Sequence, residues 1–270
     1  MGYVEWLTPF IRVANVRSKL ILPAFFLTVA LSLACGGGDT STLSEGEGLS
    51  QATTSPPASE LMGANAFGEP LGKWADPQAQ VKARLTTLGW SVDSCERGQD
   101  GGGVYHNCSA NKGDQWADVD ISDLGDEKSA KWLAEDNPSA LRDGKRVLEV
   151  TVFDGAAGQA IGELILTPGQ KLNSVDINAA SKTLEGKGWS IEERSNSSSG
   201  GYTSLELIGV QGGDVLVFEI DIADGEKLSR DDRKIDEGMF LVEQGDASFL
   251  TVVVLDEAQG TTLLKSLLGN

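Results

Sequence analysis

Cysteine is scarce in this sequence. The 270 residues include three cysteines, at positions 35, 95 and 108, which are too few for the framework of a disulfide-rich domain. Their spacing predicts one modified residue, Cys35, and one pair, Cys95 with Cys108. No later stretch has the roughly 18 consecutive apolar residues of a membrane-spanning helix. We therefore expect the chain after Cys35 to be soluble, and its length and composition to suffice for one or two globular cores.

Histidine is rarer still, because His106 is the single one in the chain. A catalytic triad would have to be built around that residue, and no serine lies in the strand–turn–helix motif typical of hydrolase nucleophiles. A lone histidine on a strand is more often a solvated side chain than a general base. The sequence thus predicts no catalytic, metal-binding or cofactor-binding residue and favours a protein that is not an enzyme.

Positively charged residues are also few. Lys and Arg number 22 against 40 Asp and Glu, which gives a formal net charge of −18 at pH 7. Residues 1–34 hold three of the bases and one of the acids, so the chain without them has a net charge of −20. Nucleic acids and anionic headgroups are bound largely through Lys and Arg. This composition excludes a nucleic-acid partner and favours a cationic or neutral one.

The amino-terminal segment has the charge and hydropathy pattern of an export signal. Three bases, Arg12, Arg17 and Lys19, precede an apolar run at positions 20–34, LILPAFFLTVALSLA. The run has about the length of the hydrophobic region of a signal peptide and is short for a spanning helix. We expect residues 1–34 to be a signal peptide.

The end of this run resembles the lipobox of bacterial lipoproteins. The matching residues are Leu31, Ser32, Leu33, Ala34 and Cys35, although the family prefers leucine where this chain has Ser32. The resemblance is limited to residues 1–35. It implies cleavage after Ala34, a diacylglycerol thioether on Cys35, and a new amino terminus acylated with a fatty acid such as palmitate. It also implies a lipid-anchored place in the bacterial cell envelope and, if the cell is Gram-negative, at the periplasmic or surface side of the outer membrane.

Two alternatives to lipidation remain open: an uncleaved signal anchor, and an ordinary export signal followed by a chance cysteine. Under lipidation, the membrane is contacted through the lipid anchor only. Residues 35–69 then form a linker, because their Gly, Ser, Thr, Glu and Pro cannot bury enough surface to fold. A flexible chain of that length would place the folded part roughly 30 to 35 Å from the membrane on average.

The rest of the chain contains an internal repeat. Short runs recur at offsets of 99 to 102 positions: Leu88-Gly89-Trp90-Ser91-Val92 as Lys187-Gly188-Trp189-Ser190-Ile191, Asp120-Ile121 as Asp221-Ile222, and Val150-Thr151-Val152-Phe153-Asp154 as Val252-Val253-Val254-Leu255-Asp256. We predict two repeat units, residues 70–168 and 169–270.

Periodicity within each unit predicts a helix, four strands and a closing helix. The first helix should begin at Pro77, after an Asp76 cap, and stop at Gly89. Short charged helices are predicted at 127–136 and 226–236, and closing helices at 156–166 and 257–268. The expected fold class is α+β: two tandem α-β-β-β-β-α repeats, each a four-stranded antiparallel sheet with its helices on one face.

Alternation in the third strand of the first unit places Asp118 and Asp120 on its outward face, which we interpret as solvated. The acidic residues between Asp118 and Asp126 resemble those of a calcium-binding loop. An EF-hand loop needs glycine at its sixth position and an acid at its twelfth, where this chain has Asp123 and Ser129. The sequence therefore does not match the EF-hand motif, and weak calcium binding by these acids remains an alternative.

The last strand of the second unit is apolar on the face that should meet water. Phe249, Val253 and Leu255 lie there, whereas the first unit has Glu149 and Thr151. Exposed apolar patches of this kind commonly mark contact surfaces. We predict that this patch packs against the first unit or against a protein partner.

Cys95 and Cys108 lie on the two arms of the first hairpin. A turn centred between Gly101 and Gly102 places these two residues opposite each other, which predicts a disulfide in an oxidising compartment. The same register puts Asn107 and Ser109 on the face of Trp90, so a β-bulge or a poorly packed second strand is expected. Free buried thiols and a metal pair with His106 are the alternatives.

We therefore expect a membrane-tethered envelope lipoprotein that acts as a non-enzymatic binding or structural module. The alternative is an envelope hydrolase that uses acidic residues at the junction between the repeats. Buried, paired acids in a cleft would favour the hydrolase, and smooth acidic sheets would favour binding.

Overall fold

The computed structural model describes residues 70–100, 103–135, 137–223, 231–245 and 247–269. The predicted signal peptide, Cys35 and the linker to residue 69 lie outside these ranges. Within them, no helix is long and apolar enough to cross a membrane.

The described helices are α1 (Pro77–Thr87), α2 (Glu127–Ala134), α3 (Gly155–Ile165), α4 (Ile177–Glu185) and α5 (Glu257–Leu268). The described strands are β1 (Ser91–Asp100), β2 (Gly103–Lys112), β3 (Gln115–Leu124), β4 (Ala140–Asp143), β5 (Arg146–Asp154), β6 (Ser190–Ser199), β7 (Tyr202–Gln211), β8 (Asp214–Ala223), β9 (Asp231–Asp236), β10 (Met239–Gln244) and β11 (Ser248–Leu255). Short 3₁₀ turns cover Leu71–Lys73 and Leu172–Ser174.

All these strands belong to one antiparallel sheet with two halves. The first half contains β1 to β5 and the second half contains β6 to β11. The order across the sheet is β1-β2-β3-β5-β11-β8-β7-β6, with β4 beside β5, β10 beside β11, and β9 beside β10. Phe153 pairs with Leu255, so β5 and β11 meet at their carboxyl ends and the halves form a continuous sheet.

The prediction of two tandem repeats, each a four-stranded sheet with its own helices, is wrong. Both β5 and β11 end at the junction, so the chain leaving each strand continues across the other half. α3 follows β5 yet packs against β10 and β11, and α5 follows β11 yet packs against β5. The two closing helices are exchanged between the halves. How the sequence divides into repeat units at 168/169 stays a prediction.

Two equivalent glycines make this exchange possible. A Cβ on Gly158 of α3 would lie 3.0 Å from the carbonyl oxygen of Val252, and a Cβ on Gly260 of α5 would lie 3.2 Å from that of Val150. Both contacts are tighter than a side chain normally makes, so each glycine lets its helix approach the opposite half closely.

Each half has its own apolar core, and each core includes the helix donated by the other half. The first core receives Leu263, Leu264 and Leu267 of α5. The second core receives Ile161 of α3, with Ala157 and Ile165 packed against it. Burying these apolar side chains stabilises both halves together.

The predicted starts of α1 and α2 are confirmed. The Asp76 carboxylate accepts a hydrogen bond from the Ala79 backbone N–H at 3.0 Å, and Asp126 accepts one from the Ser129 N–H at 2.9 Å. These are N-caps, which satisfy backbone donors that the first helical turn leaves unpaired.

The charged helix predicted at 226–236 is wrong where the structure describes it. Residues 231–236 form β9, which pairs with β10 along its whole length. Ile235 packs against the second core, and a segment of six residues with few apolar positions gains more from this backbone pairing than from a helix. Residues 224–230 lie outside the described ranges.

The structural equivalence of the two halves differs in one place from the sequence alignment. The turn at Gly113-Asp114 corresponds to Gly212-Gly213, because each separates a pair of ten-residue strands. The offset is therefore 99 through this hairpin, and Asp120 corresponds to Glu219 and not to Asp221. The bulge after Val92 likewise recurs after Ile191.

Candidate functional site

The candidate site is a polar sheet face in the first half, which we call the acidic face. It consists of side chains on β2, β3 and β5 that point away from the first core: Asn107, Ser109, Trp116, Asp118, Asp120 and Glu149. Because side chains alternate along a strand, Ala117, Val119 and Ile121 enter the core while Trp116, Asp118 and Asp120 point the other way. All six are half-buried, so the interpretation of Asp118 and Asp120 as fully solvated is wrong.

Neutral donors hold the carboxylates of this face. Asn107 Nδ2 donates to Asp120 Oδ1 at 2.9 Å, and Ser109 Oγ donates to Asp118 Oδ1 at 2.6 Å. Trp116 Nε1 donates to the same Asp118 oxygen at 3.4 Å. These bonds fix the orientation of the carboxylates without neutralising their charge.

A third carboxylate is held from the α2–β4 connection. Asn137 Nδ2 donates to Glu149 Oε1 at 2.7 Å. Glu149 pairs with Asp120 across β5 and β3, and Asp120 pairs with Asn107 across β3 and β2. The acids and amides therefore form a row across three strands.

Two acids of this face, Asp118 and Asp120, hold their protons more tightly than usual. Burial raises the pKa of Asp120 to about 6, the Asp118 and Glu149 charges act in the same direction, and the Asn107 hydrogen bond opposes them. Burial also raises the pKa of Asp118, against the hydrogen bonds from Ser109 and Trp116. Loss of hydration and like-charge repulsion both disfavour a carboxylate, so this face would be stabilised by a cation or by protonation.

The β9–β10 turn of the second half borders this face. Gly238 adopts φ 72°, and a Cβ there would lie 2.7 Å from the Cβ atoms of both Trp116 and Phe153. The preceding Glu237 has its pKa raised by burial and then by Asp236, Asp118 and Asp93. The turn therefore brings a further carboxylate close to Asp118.

The equivalent face of the second half is less accessible and only partly polar. Ile208, Val217 and Val253 stand where the first half has Ser109, Asp118 and Thr151, and each is at most 2% exposed. The polar pair Glu206 and Glu219 replaces Asn107 and Asp120, and these two are also buried. The polar groups of this face are therefore more accessible in the first half than in the second.

The predicted contact residues of β11 lie mostly inside the chain. Val253 is 2% exposed and Leu255 is 1% exposed. Leu255 lies opposite Phe153 of the first half, which accounts for its apolar side chain without a partner. Phe249 is half-buried and is the residue of the three that keeps accessible surface.

The predicted pairing of Cys95 with Cys108 is confirmed by a disulfide between them. A bulge after Val92 shifts the alternation of β1, so Trp90, Val92 and Cys95 all face the first core. The disulfide therefore lies on the core side of the hairpin. The acidic face lies on the other side, and the disulfide is not part of it.

His106 lies away from the acidic face, between Arg97 on β1 and Ile121 on β3. It is 9% exposed, and its Nδ1 has no hydrogen-bond partner among the described atoms. Burial lowers its pKa, and the Arg97 charge lowers it further. Among the described residues, no group of three or more His, Cys, Asp or Glu side chains is arranged to hold a metal ion.

Acids also gather at the junction between the halves. Burial raises the pKa of Asp214, followed by the charges of Asp256, Asp154 and Glu257. Asp154 and Asp256 accept hydrogen bonds from the first turns of α3 and α5, at 2.9 Å from Ala157 N and 2.8 Å from Gln259 N. These two carboxylates are engaged as helix caps.

Comparison with known proteins gives no assignment: no protein family, curated protein or solved structure matches this chain.

Proposed function

We propose that this protein is a lipid-anchored envelope protein and a non-enzymatic binding module, with the acidic face as its binding surface. The lipobox residues ending at Cys35 support the anchor. The observation that carries the binding role is the difference in accessibility between the halves, because the polar groups of the acidic face are half-buried whereas their equivalents in the second half are buried.

The chemistry of the face favours a partner that brings positive charge. Asp118 and Asp120 repel each other, and Ser109 and Asn107, which donate to them, are neutral. An ammonium or guanidinium group placed among them would relieve the repulsion and form charge-assisted hydrogen bonds. A lysine- or arginine-bearing protein segment of the envelope has this chemistry.

Zero-length carbodiimide crosslinking of the full chain in intact envelopes tests the binding role, because this reagent joins a carboxylate directly to a contacting lysine. We expect a crosslinked product with the wild-type chain and its loss in the Asp118→Asn/Asp120→Asn variant. Glu163→Gln, which removes an exposed acid from α3, should keep the product. Equal yields in all three chains would contradict the proposal.

Incorporation of alkyne-labelled palmitate tests the anchor. The wild-type chain should be labelled and Cys35→Ser should not be. Equal labelling of both chains, or of neither, would contradict the lipobox interpretation.

The raised pKa of the half-buried Asp120 also favours the second candidate, an envelope hydrolase. A carboxyl with a pKa of about 6 is suited to general-acid catalysis near neutral pH. In that case, wild-type protein would cleave envelope glycan or peptide material, and Asp120→Asn would abolish the cleavage while Glu163→Gln would not.

A further inference from the structure

One end of the molecule combines an exposed tryptophan with basic side chains. We call it the tether end, and it consists of Lys128, Lys131 and Trp132 on α2 together with Arg142 and Lys145 near the β4–β5 turn. α2 packs against β4 and β5. Lys145 Nζ donates to the Gly125 carbonyl oxygen at 2.7 Å, which connects the turn to the start of α2.

Trp132 is 63% exposed, the largest value among the large apolar side chains that the structure describes. The other tryptophans after Cys35 are buried or half-buried: Trp74, Trp90, Trp116 and Trp189. Leu141, on the strand that α2 packs against, is also exposed. Tryptophan has an apolar ring with one polar N–H, a combination that favours the headgroup region of a bilayer.

The tether end carries four bases in a chain whose net charge is −18. Asp126 caps α2, and Asp143 accepts a backbone hydrogen bond. Lys128 precedes Trp132 by one helical turn, so the two lie on the same side of α2. The side chains of Lys128, Lys131 and Arg142 are exposed and can contact lipid phosphates beside the tryptophan.

The linker also joins the folded part at this end. Gly72 N donates to Asp143 Oδ2 at 2.7 Å. Arg146 Nη1 donates to the carbonyl oxygens of Leu71 at 2.9 Å and Trp74 at 2.8 Å. The beginning of the described chain is thus fixed beside the β4–β5 turn. Residue 70, through which the chain from Cys35 enters the described part, therefore lies at the tether end.

We propose that the tether end rests on the lipid headgroups of the membrane that holds the Cys35 anchor, with Trp132 inserted among them. The proposal rests on the anchor part of the proposed function. The occupant of the surface is the bilayer, because the aromatic side chain, the bases and the point of chain entry coincide at one end of the molecule.

The test uses the full lipidated chain reconstituted into phosphatidylethanolamine–phosphatidylglycerol vesicles, with and without brominated acyl chains that quench tryptophan. We expect brominated lipid to lower the emission of the wild-type chain by up to about a fifth, since Trp132 is one of five tryptophans after Cys35. Trp132→Phe should abolish this loss, and Lys128→Gln/Lys131→Gln should reduce it. Trp189→Phe, a matched change in the second half, should retain it.

Flotation of the same samples separates the two proposals. A chain that fails to float with the vesicles would overturn the anchor, and with it the orientation. A chain that floats but shows no quenching, or equal quenching in wild type and Trp132→Phe, would overturn the orientation alone.

Discussion

Phe153 and Leu255 lie opposite each other where β5 and β11 join the two halves of the sheet. Both side chains are at most 2% exposed. Because each strand ends beside this pair, the chain crosses there into the other half and delivers α3 or α5 to the opposite core.

Leu255→Ala tests the importance of the junction. Truncating a buried leucine leaves a cavity and typically costs about 2–5 kcal/mol, so the free energy of unfolding in urea should fall by that amount. Phe249→Ala on the same strand removes a half-buried side chain and should cost less. Similar losses for the two variants would contradict the view that the junction is tightly packed.

The two equivalent glycines provide a test of the helix exchange. Gly158→Val and Gly260→Val would each force a side chain against a backbone carbonyl of the other half, and overpacking typically costs about 1–3 kcal/mol. Ala160→Val, at an exposed position of α3, introduces the same β-branched residue without that contact. Urea unfolding should show a larger loss for both glycine variants than for the control.

Asp120→Asn should stabilise the protein in a pH-dependent way. The folded state raises the pKa of Asp120 from 3.8 to about 6, so its carboxylate form destabilises the fold. The free energy of unfolding is therefore unaffected by Asp120 at low pH and is lowered by its ionisation as the pH rises through about 4 to 6.

We expect Asp120→Asn to raise the free energy of unfolding by about 1–3 kcal/mol at neutral pH, and the gain to shrink towards pH 4. Urea unfolding across this range measures it, with Glu163→Gln as the control. A gain of the same size at every pH would show that the ionisation of Asp120 is not its cause.

Removing the disulfide should destabilise the first half. Cys95 and Cys108 are separated by 13 residues in sequence, and closing a loop of this size contributes about 3 kcal/mol on the chain-entropy model. Dithiothreitol should lower the urea midpoint of the wild-type chain. The Cys95→Ala/Cys108→Ala variant should start from the lower midpoint and show no response to the reductant.

Counting residues outward from a hairpin turn predicts which residues lie opposite each other on the two strands. The opposed positions of Cys95 and Cys108 follow from the location of one turn. The polar residues around them indicate either a bulge or a poorly packed strand, and the structure has the bulge. The same reasoning applied to the turn at Gly113-Asp114 would have paired Asn107 with Asp120 and Ser109 with Asp118, and so would have found the donors of the acidic face.

The helix exchange could not be predicted in the same way. Ile161 and Leu263 occupy equivalent positions in the two closing helices, and either helix offers a suitable apolar side to either core. The choice depends on where β5 and β11 end relative to each other, a long-range relationship that periodicity does not contain. The sequence does not predict β9, because its charged residues resemble those of a solvated helix. Its strand conformation depends on pairing with β10, which lies outside the segment whose periodicity is being read.

Since each half is covered by a helix that belongs to the other, a polypeptide with a single copy would leave its core open unless a second molecule supplied the missing helix. Two such molecules related by a twofold axis would each cover the core of the other with a helix. The present chain achieves that mutual cover within one polypeptide, so neither half can be removed without opening the core of the other.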